Sequence, residues 1–387
     1  MDNIKIRLND FADIFSGFAF STKNDMSDYG IPILKIGNII GNGDISTETD
    51  SFYPHPISKK ISKYFLKNND FLVAMTGATI GKIGRIKVKD DSFLVNQRVA
   101  IVRAKNNVNS RFLYYFLSQK IFQKYIDNIS NGSAQANISA ENIGKFLIDN
   151  KILKISQNKI ASILSAYDDL IEVNNKKIKT LNEMAQEIYK EWFVRFRFPG
   201  HEKAEFQNGI PKGWEIVKVK NFCKVFTGKK DVNQTIENGK YLFFSCSPEI
   251  FKSNDYIYDG KAIIIAGNGS YTGRTRFFEG KFDLYQRTYA IISDDNLFLE
   301  FLYFTFKNDF EKRFMGGTRG AAIPYIVMKD ITEYKFLYND KIIRDFVSFV
   351  IPINKKIQNL IQANENLKTQ RDLLLPRLMS GKLEVKG

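Results

Sequence analysis

The chain has 387 residues, of which 26% are charged and 44% hydrophobic, and this composition suits a folded protein with more than one hydrophobic core. Lysine and arginine number 57 against 42 acidic residues, so the net charge of +15 indicates a polyanionic partner, either nucleic acid or an anionic membrane. Two histidines and two cysteines, scattered along the chain, form no zinc knuckle, no paired-histidine metal site and no disulfide framework.

The beginning of the sequence and its hydropathy bear on localisation. Residues 1–15 lack the apolar segment of a signal peptide, and no apolar run of about 18 residues occurs elsewhere. We therefore expect a soluble cytoplasmic protein.

An internal duplication runs through the chain. Short matching segments occur twice in the same order, at an offset that falls from 211 to 179 residues. The matched pairs are 8–17 with 219–228, 84–85 with 273–274, 96–98 with 285–287, 132–138 with 317–323, and 175–181 with 354–360. Because chance rarely yields such an ordered series, the sequence predicts two related halves.

Each half begins with short segments typical of β-strands and ends with a long helix. Apolar segments such as 71–75 and 262–265 are separated by turns rich in glycine and asparagine. Short helices are predicted over 110–125 and 299–313. The fold class is therefore α+β. The predicted domains are 1–150 and 198–340, both rich in β-strands, and the helical regions 151–197 and 341–387.

Both long helices carry a heptad pattern. The seam residues recur every seven positions and are Ile160, Tyr167, Asn174, Leu181 and Ile188, then Phe346, Ile353, Leu360, Leu367 and Leu374. Two equal seams in one chain predict an antiparallel intramolecular coiled coil with a pseudo-two-fold axis. Homodimerisation through each helix, or burial of each helix in its own domain, remains an alternative. Pro352 predicts a start or kink of the second helix, and Pro376 with Gly381 predicts its end.

Catalytic and cofactor motifs are scarce. No two prolines are adjacent, which excludes the Asn-Pro-Pro-aromatic motif of amino-methyltransferases, and segment 77–83 has the wrong spacing for a phosphate-binding loop. Segment 262–273 resembles a strand that leads into a dinucleotide-binding loop. An enzyme that binds S-adenosylmethionine or a nucleotide there is therefore an alternative, although a lone Gly-x-Gly is a weak signal.

Basic and amide side chains stand out in the glycine-rich turns of the β-rich domains. Arginine is the commonest reader of guanine edges, and asparagine and glutamine read adenine. The predicted DNA-contacting residues are Lys82, Arg85, Gln97, Arg98, Ser133, Gln135, Asn137, Arg274, Arg276, Gln286, Arg287, Thr318 and Arg319.

Several of these segments carry a resemblance to a known family. Segment 181–200 resembles the central helical region of type I restriction–modification specificity subunits, and segment 371–382 resembles their C-terminal end. Segment 210–228 is similar to the start of their second target-recognition domain, while 96–98 and 132–138 are similar to segments within such domains. Segment 147–153 departs from the pattern, because the proline common there is missing.

The resemblance implies a subunit that recognises DNA and is not itself an enzyme. Each target-recognition domain would read one half of a bipartite sequence in double-stranded DNA, and the paired helices would set the gap. The subunit would dock two methylation subunits, which carry S-adenosylmethionine, and the full complex would add restriction subunits that use ATP and magnesium. The resemblance also implies a prokaryotic cytoplasmic protein with no membrane partner and no cofactor on the chain itself. The alternative from another class is a bivalent adaptor that binds nucleic acid without sequence preference.

Overall fold

A computed structural model describes residues 5–21, 25–41, 43–86, 91–130, 137–149, 156–315 and 325–383. The chain divides into two compact units. Unit 1 comprises Met1–Val173 and Ala363–Gly387, and unit 2 comprises Asn174–Gln362. Each unit mixes strands with helices, which confirms the predicted α+β class. The domain boundaries drawn from the sequence stay a prediction.

Unit 1 is built around a four-stranded sheet of order β2-β10-β7-β8. Its strands are β1 Lys5–Arg7, β2 Ala12–Ser16, β3 Ile31–Leu34, β4 Ile39–Gly41, β5 Asp44–Ile45, β6 Phe52–Tyr53, β7 Phe71–Ala74, β8 Ile83–Arg85, β9 Leu94–Val95, β10 Val99–Ala104 and β11 Leu147–Asp149. Its helices are α1 Ser110–Leu117, α2 Lys120–Ser130, α3 Ala140–Gly144 and the first part of α4 Gln157–Tyr189. All four residues of β7 are buried, as expected for a central strand that is covered on both faces.

Unit 2 contains a six-stranded sheet of order β15-β20-β18-β19-β16-β17. Its strands are β12 Phe206–Gln207, β13 Ile210–Pro211, β14 Glu215–Lys218, β15 Lys224–Thr227, β16 Tyr241–Phe244, β17 Ile250–Ser253, β18 Tyr258–Ala266, β19 Thr275–Leu284, β20 Thr288–Ile292 and β21 Lys335–Tyr338. Its helices are the end of α4, α5 Asn296–Thr305, α6 Glu311–Met315, α7 Met328–Thr332 and the first part of α8 Asp340–Met379. A π-helical turn, Lys190–Val194, follows α4, and a second, Phe306–Phe310, joins α5 to α6.

The strand pairings of the two units match one another. Antiparallel pairing of β1 with β11 corresponds to that of β14 with β21. The series β2-β10-β7-β8 corresponds to β15-β20-β18-β19, and β3 runs parallel to β9 as β16 runs parallel to the end of β19. The duplication predicted from the sequence is therefore present in the topology.

A glycine allows close backbone packing at the same place in both units. A Cβ at Gly17 would lie 2.2 Å from the carbonyl oxygen of Val95, and one at Gly228 would lie 1.9 Å from that of Leu284. The segment after β2 must therefore lie directly against the end of β9, and the segment after β15 against the end of β19, so that any side chain would push the two backbones apart.

We expect Gly17→Ala to lower the free energy of unfolding of unit 1 by about 1–3 kcal/mol, because the added methyl group overlaps backbone atoms that cannot rotate away. Gly37→Ala in the same unit is the matched control, since a Cβ there meets no atom within 4 Å. Urea unfolding of the full chain measures both variants. Equal midpoints for the two variants would contradict the close-packing argument.

The long helix α8 departs from the sequence-based expectation. It begins at Asp340 and continues through Pro352 and Pro376 to Met379, so Pro352 does not start it and Pro376 does not end it. Pro352 withholds an amide hydrogen from the carbonyl of Ser348. Both residues are exposed, and water can therefore satisfy that carbonyl without interrupting the helix.

No helix in the part of the chain that the structure describes combines the length and the apolar composition that a bilayer crossing requires.

Candidate nucleic-acid interface

Backbone hydrogen bonds bring three separate segments of unit 1 to one edge of its main sheet. The Met75 amide donates to the carbonyl of Arg98 at 3.1 Å, and the Ile138 amide donates to the carbonyl of Met75 at 3.0 Å. The turn that follows β7 is closed by the Gly81 amide, which donates to the carbonyl of Ala74 at 2.9 Å. We call the surface formed by residues 75–82, 96–98 and 137–138 rim 1.

Unit 2 builds the same surface with the same bonds. The Gly267 amide donates to the carbonyl of Arg287 at 2.9 Å, and the Ile326 amide donates to that of Gly267 at 2.7 Å. The Gly273 amide donates to the carbonyl of Ala266 at 2.8 Å. Residues 267–274, 285–287 and 325–326 form rim 2.

These bonds correct one match made from the sequence. Gly81 and Lys82 occupy the places of Gly273 and Arg274, so segment 84–85 is not the counterpart of 273–274. The turns 77–81 and 269–273 also share the Gly-x-x-x-Gly spacing, with positive φ at all four glycines. The sequence match was wrong because a Gly-Arg pair occurs by coincidence three residues farther along.

The turn at 267–274 also differs from a dinucleotide-binding loop. It joins the antiparallel neighbours β18 and β19, whereas a dinucleotide loop leads from a strand into a helix of a βαβ unit. Among the described residues no cluster of three histidine, cysteine, aspartate or glutamate side chains is arranged to hold a metal ion.

Arg98 and Arg287 are the best-placed candidate readers. They occupy equivalent positions, and both side chains are exposed. Neither guanidinium group makes a hydrogen bond or ion pair with another described residue. The Asn96 side chain accepts the Arg98 amide hydrogen at 3.2 Å and so shapes the turn. Tyr285 stands at the corresponding place in unit 2, where the amide of Thr288 still closes the turn on the Tyr285 carbonyl at 2.8 Å.

Other predicted contact residues lie on the same rims. Lys82, Gln97 and Asn137 are exposed on rim 1. Gln286 is exposed on rim 2, and its side-chain amide donates to Asp231 at 3.3 Å. Ser133, Gln135, Thr318 and Arg319 lie outside the described residues.

Three predicted contact arginines are instead engaged within the protein. Arg274 donates to the carbonyl of Cys246 at 3.1 Å and to that of Ser247, while Arg276 donates to the carbonyl of Pro248. Partial burial lowers the pKa of both guanidinium groups. Both arginines therefore hold the 246–248 loop in place. Arg85 is half-buried and lies over the ring of Tyr114 at 5.7 Å.

Two exposed tyrosines on rim 2 were missed by the sequence reasoning. Tyr271 is 44% exposed beneath the guanidinium of Arg274, and Tyr325 is 51% exposed and bridges to the backbone of Asn268. Aromatic rings at such a surface can stack on bases or pack against the sugar–phosphate backbone. The sequence signal that could have identified these two tyrosines is an aromatic residue within or beside a glycine-rich turn.

The predicted helix seam is withdrawn from solvent along its length. Every predicted seam residue is buried or half-buried, namely Ile160, Tyr167, Asn174, Leu181, Ile188, Phe346, Ile353, Leu360, Leu367 and Leu374. In unit 1 the start of α4 packs with the end of α8, and in unit 2 the end of α4 packs with the start of α8. Antiparallel pairing along the full length of the two helices stays a prediction. A regular coiled coil stays a prediction.

A known protein family matches both halves of the chain. The family described as the type I restriction modification DNA specificity domain matches residues 2–183 and 211–374. The chain belongs to this family. The match in both halves agrees with the two equivalent rims, and the resemblance inferred from segments 181–200 and 371–382 is confirmed.

Individual relatives agree with this assignment. The chain is 28% identical over 328 residues to the type I restriction enzyme MjaIX specificity subunit of Methanocaldococcus jannaschii, covering 78% of this chain and 76% of that protein. It is 37% identical over 124 residues to the EcoDI specificity subunit of Escherichia coli, covering 32% and 27%. A crystal structure of the type I specificity subunit from M. genitalium has the same fold, with a TM-score of 0.55 at 18% identity over 97% and 95% of the two chains. By its family and these relatives, the chain is a DNA-recognition subunit of a restriction–modification system.

Proposed function

We propose that each unit reads one half of a bipartite sequence in double-stranded DNA, through rim 1 in unit 1 and rim 2 in unit 2. The observation that carries this proposal is the equivalence of Arg98 and Arg287, both exposed and without a partner among the described residues. A guanidinium group can donate two hydrogen bonds to a guanine edge in the major groove. Neighbouring Gln97 and Gln286 add amide groups that suit adenine.

The long helices set the distance between the two half-sites in this proposal. The 33 residues of α4 span about 50 Å at 1.5 Å per residue. Half-sites read from one face of DNA lie about 34 Å apart, or one helical turn. A helix of this length is therefore adequate to space two reading domains.

The chain is proposed to act without catalysis of its own. The relatives MjaIX and EcoDI are specificity subunits of type I restriction enzymes. As a specificity subunit, this chain would dock two methylation subunits, which bring S-adenosylmethionine and the pocket for the flipped adenine. Restriction subunits with ATP and magnesium would join the full complex in the prokaryotic cytoplasm. Residues 267–274 join two antiparallel strands, which supports the proposal that the chain binds no nucleotide cofactor there.

Selection from a random duplex library tests the proposal. The chain is mixed with its methylation subunits, and bound DNA is sequenced. We expect two short blocks of preferred sequence at a fixed separation, with no preference between them. A flat preference over all positions would contradict the proposal and favour a bivalent adaptor that binds nucleic acid nonspecifically.

Lys82→Ala should weaken binding to specific and random duplexes alike, by less than about tenfold, and reduce the slope of log affinity against log salt by about one. The reason is that Lys82 lies exposed on rim 1 and presents a point charge suited to a phosphate. Lys212→Ala is the control, because that exposed lysine is already paired with Glu205 at 3.0 Å. Fluorescence anisotropy at several salt concentrations measures both. A loss confined to the specific duplex would show that Lys82 reads bases instead.

A further inference from the structure

A charged network lies where the recognition domain of unit 1 meets the two long helices. Arg371 on α8 donates to Asp168 on α4 at 2.6 Å, and the hydroxyl of Tyr115 on α1 donates to the other carboxylate oxygen of Asp168. The side chains of Arg371 and Asp168 are 18% and 17% exposed, and Tyr115 is fully buried. We call these three residues the polar junction.

The polar junction depends on all three elements. Burial and the neighbouring Asp168 carboxylate both raise the pKa of Tyr115, so the phenol stays a hydrogen-bond donor. Within the described residues the Asp168 carboxylate accepts side-chain hydrogen bonds from Tyr115 and Arg371 alone. Arg371 also contacts the exposed Asp372 on its own helix at 2.8 Å. Removal of α8 would therefore leave the Asp168 carboxylate without its cation.

The equivalent place in unit 2 is apolar. The duplicated helices are related by an offset of 179 residues, which places Val347 at the position of Asp168 and Trp192 at that of Arg371. The capping residues Asn109 and Asp295 align α1 with α5 and place Phe301 at the position of Tyr115. Phe301 and Val347 are fully buried, and Trp192 packs against Phe346 with ring centroids 5.9 Å apart. We call Phe301, Val347 and Trp192 the apolar junction.

We infer that the polar and apolar junctions form a pairing code that matches α4 to α8 and disfavours pairing between like helices of two copies. Without such a code, the duplication would allow like helices of two copies to pair. Because α4 and α8 carry the same heptad pattern, α4 of one copy could replace α8 against α4 of another copy.

The geometry shows why mispairing is disfavoured. If α4 paired with α4 of a second copy, Asp168 would face Trp192 where Arg371 stands in the native pair. If α8 paired with α8 of a second copy, Arg371 would face Val347 where Asp168 stands. Either arrangement breaks the Asp168–Arg371 ion pair against an apolar side chain. Asp168 is then left without a cation, and Arg371 keeps only the exposed Asp372. A buried charge that loses its partner is strongly destabilising.

Exchange between two tagged copies of the full chain tests the pairing code. The variant Tyr115→Phe/Asp168→Val/Arg371→Trp makes the polar junction a copy of the apolar junction. We expect it to raise at least tenfold the fraction of one tagged copy that co-purifies with the other, relative to the wild-type chain. The charge-reversed control Asp168→Arg/Arg371→Asp keeps an ion pair and should stay at the wild-type level.

A complementary pair of copies covers the case in which the triple variant does not fold. Asp168→Arg in one copy and Arg371→Asp in another each place like charges in the polar junction of a single chain. Expressed together, the two copies can restore both ion pairs by exchanging helices, so we expect a one-to-one complex at twice the mass of the chain. Wild-type levels of exchange in both experiments, or wild-type chains that exchange as freely as the variants, would overturn the inference.

Discussion

Lengthening α4 and α8 together by four residues is expected to widen the gap in the recognised DNA sequence by about two base pairs and to leave both half-sites unchanged. Four helical residues add about 6 Å, and a base pair adds about 3.4 Å. The insertions belong after Ile178 in α4 and after Ile357 in α8, which are equivalent positions in the duplication. An insertion of four residues is a stutter, which coiled coils accommodate by local unwinding.

Methylation mapping in cells that also carry the methylation subunits measures the effect of these insertions. The control is the same insertion at the exposed turn between β12 and β13, after Gly209, because it adds residues without lengthening either helix. We expect that control to keep the wild-type gap. An unchanged gap in the helix variant, or altered half-sites, would contradict the role of the helices in spacing.

Arg98→Ala should reduce discrimination at one base pair of one half-site by about 5–150-fold, and Arg287→Ala should do so in the other half-site. A bidentate arginine–guanine contact contributes about 1–3 kcal/mol to discrimination, which corresponds to this range. Because each arginine belongs to one unit, the two losses should be independent and their effects should add in the double variant.

Competition binding against duplexes altered at one base pair at a time measures that discrimination. Arg195→Ala is the matched control, since this exposed arginine lies outside both rims and is paired with Glu191. We expect the control to retain wild-type discrimination at every position. Equal damage to both half-sites by either rim variant would show that the units do not read separately.

Much of the architecture followed from the sequence. The duplication was visible because loop lengths change between the halves while short local segments persist, as at 8–17 and 219–228, which form equivalent strands β2 and β15. The faces of the long helices followed from the seven-residue period, since that period specifies which side is withdrawn from water. Arg98 and Arg287 were predicted as DNA contacts because each stands in a Gln-Arg pair in a turn just before a buried strand, and the structure places both at exposed, equivalent positions. Their contact with DNA stays a prediction.

Other features depend on partners that are distant in the sequence. Arg274 and Arg276 resemble Arg98 and Arg287 in their local context, yet their guanidinium groups bind carbonyls of the 246–248 loop about 28 residues away. Local context also overstated the effect of Pro352. A start or kink was predicted there, yet α8 begins at Asp340 and continues through Pro352, and the Ser348 carbonyl that this proline frees is exposed to water. The polar junction joins α1, α4 and α8 over 203 residues between Asp168 and Arg371, so no local pattern indicates it.

If two equivalent rims read two half-sites independently, a substitution in one rim should alter one half-site alone. Random-library selection with Arg98→Ala in the presence of the methylation subunits examines this directly. We expect one half-site to lose preference at the position that Arg98 reads, while the other half-site and the gap remain those of the wild type. Loss of preference in both half-sites, or a wild-type pattern in both, would contradict independent reading by the two rims.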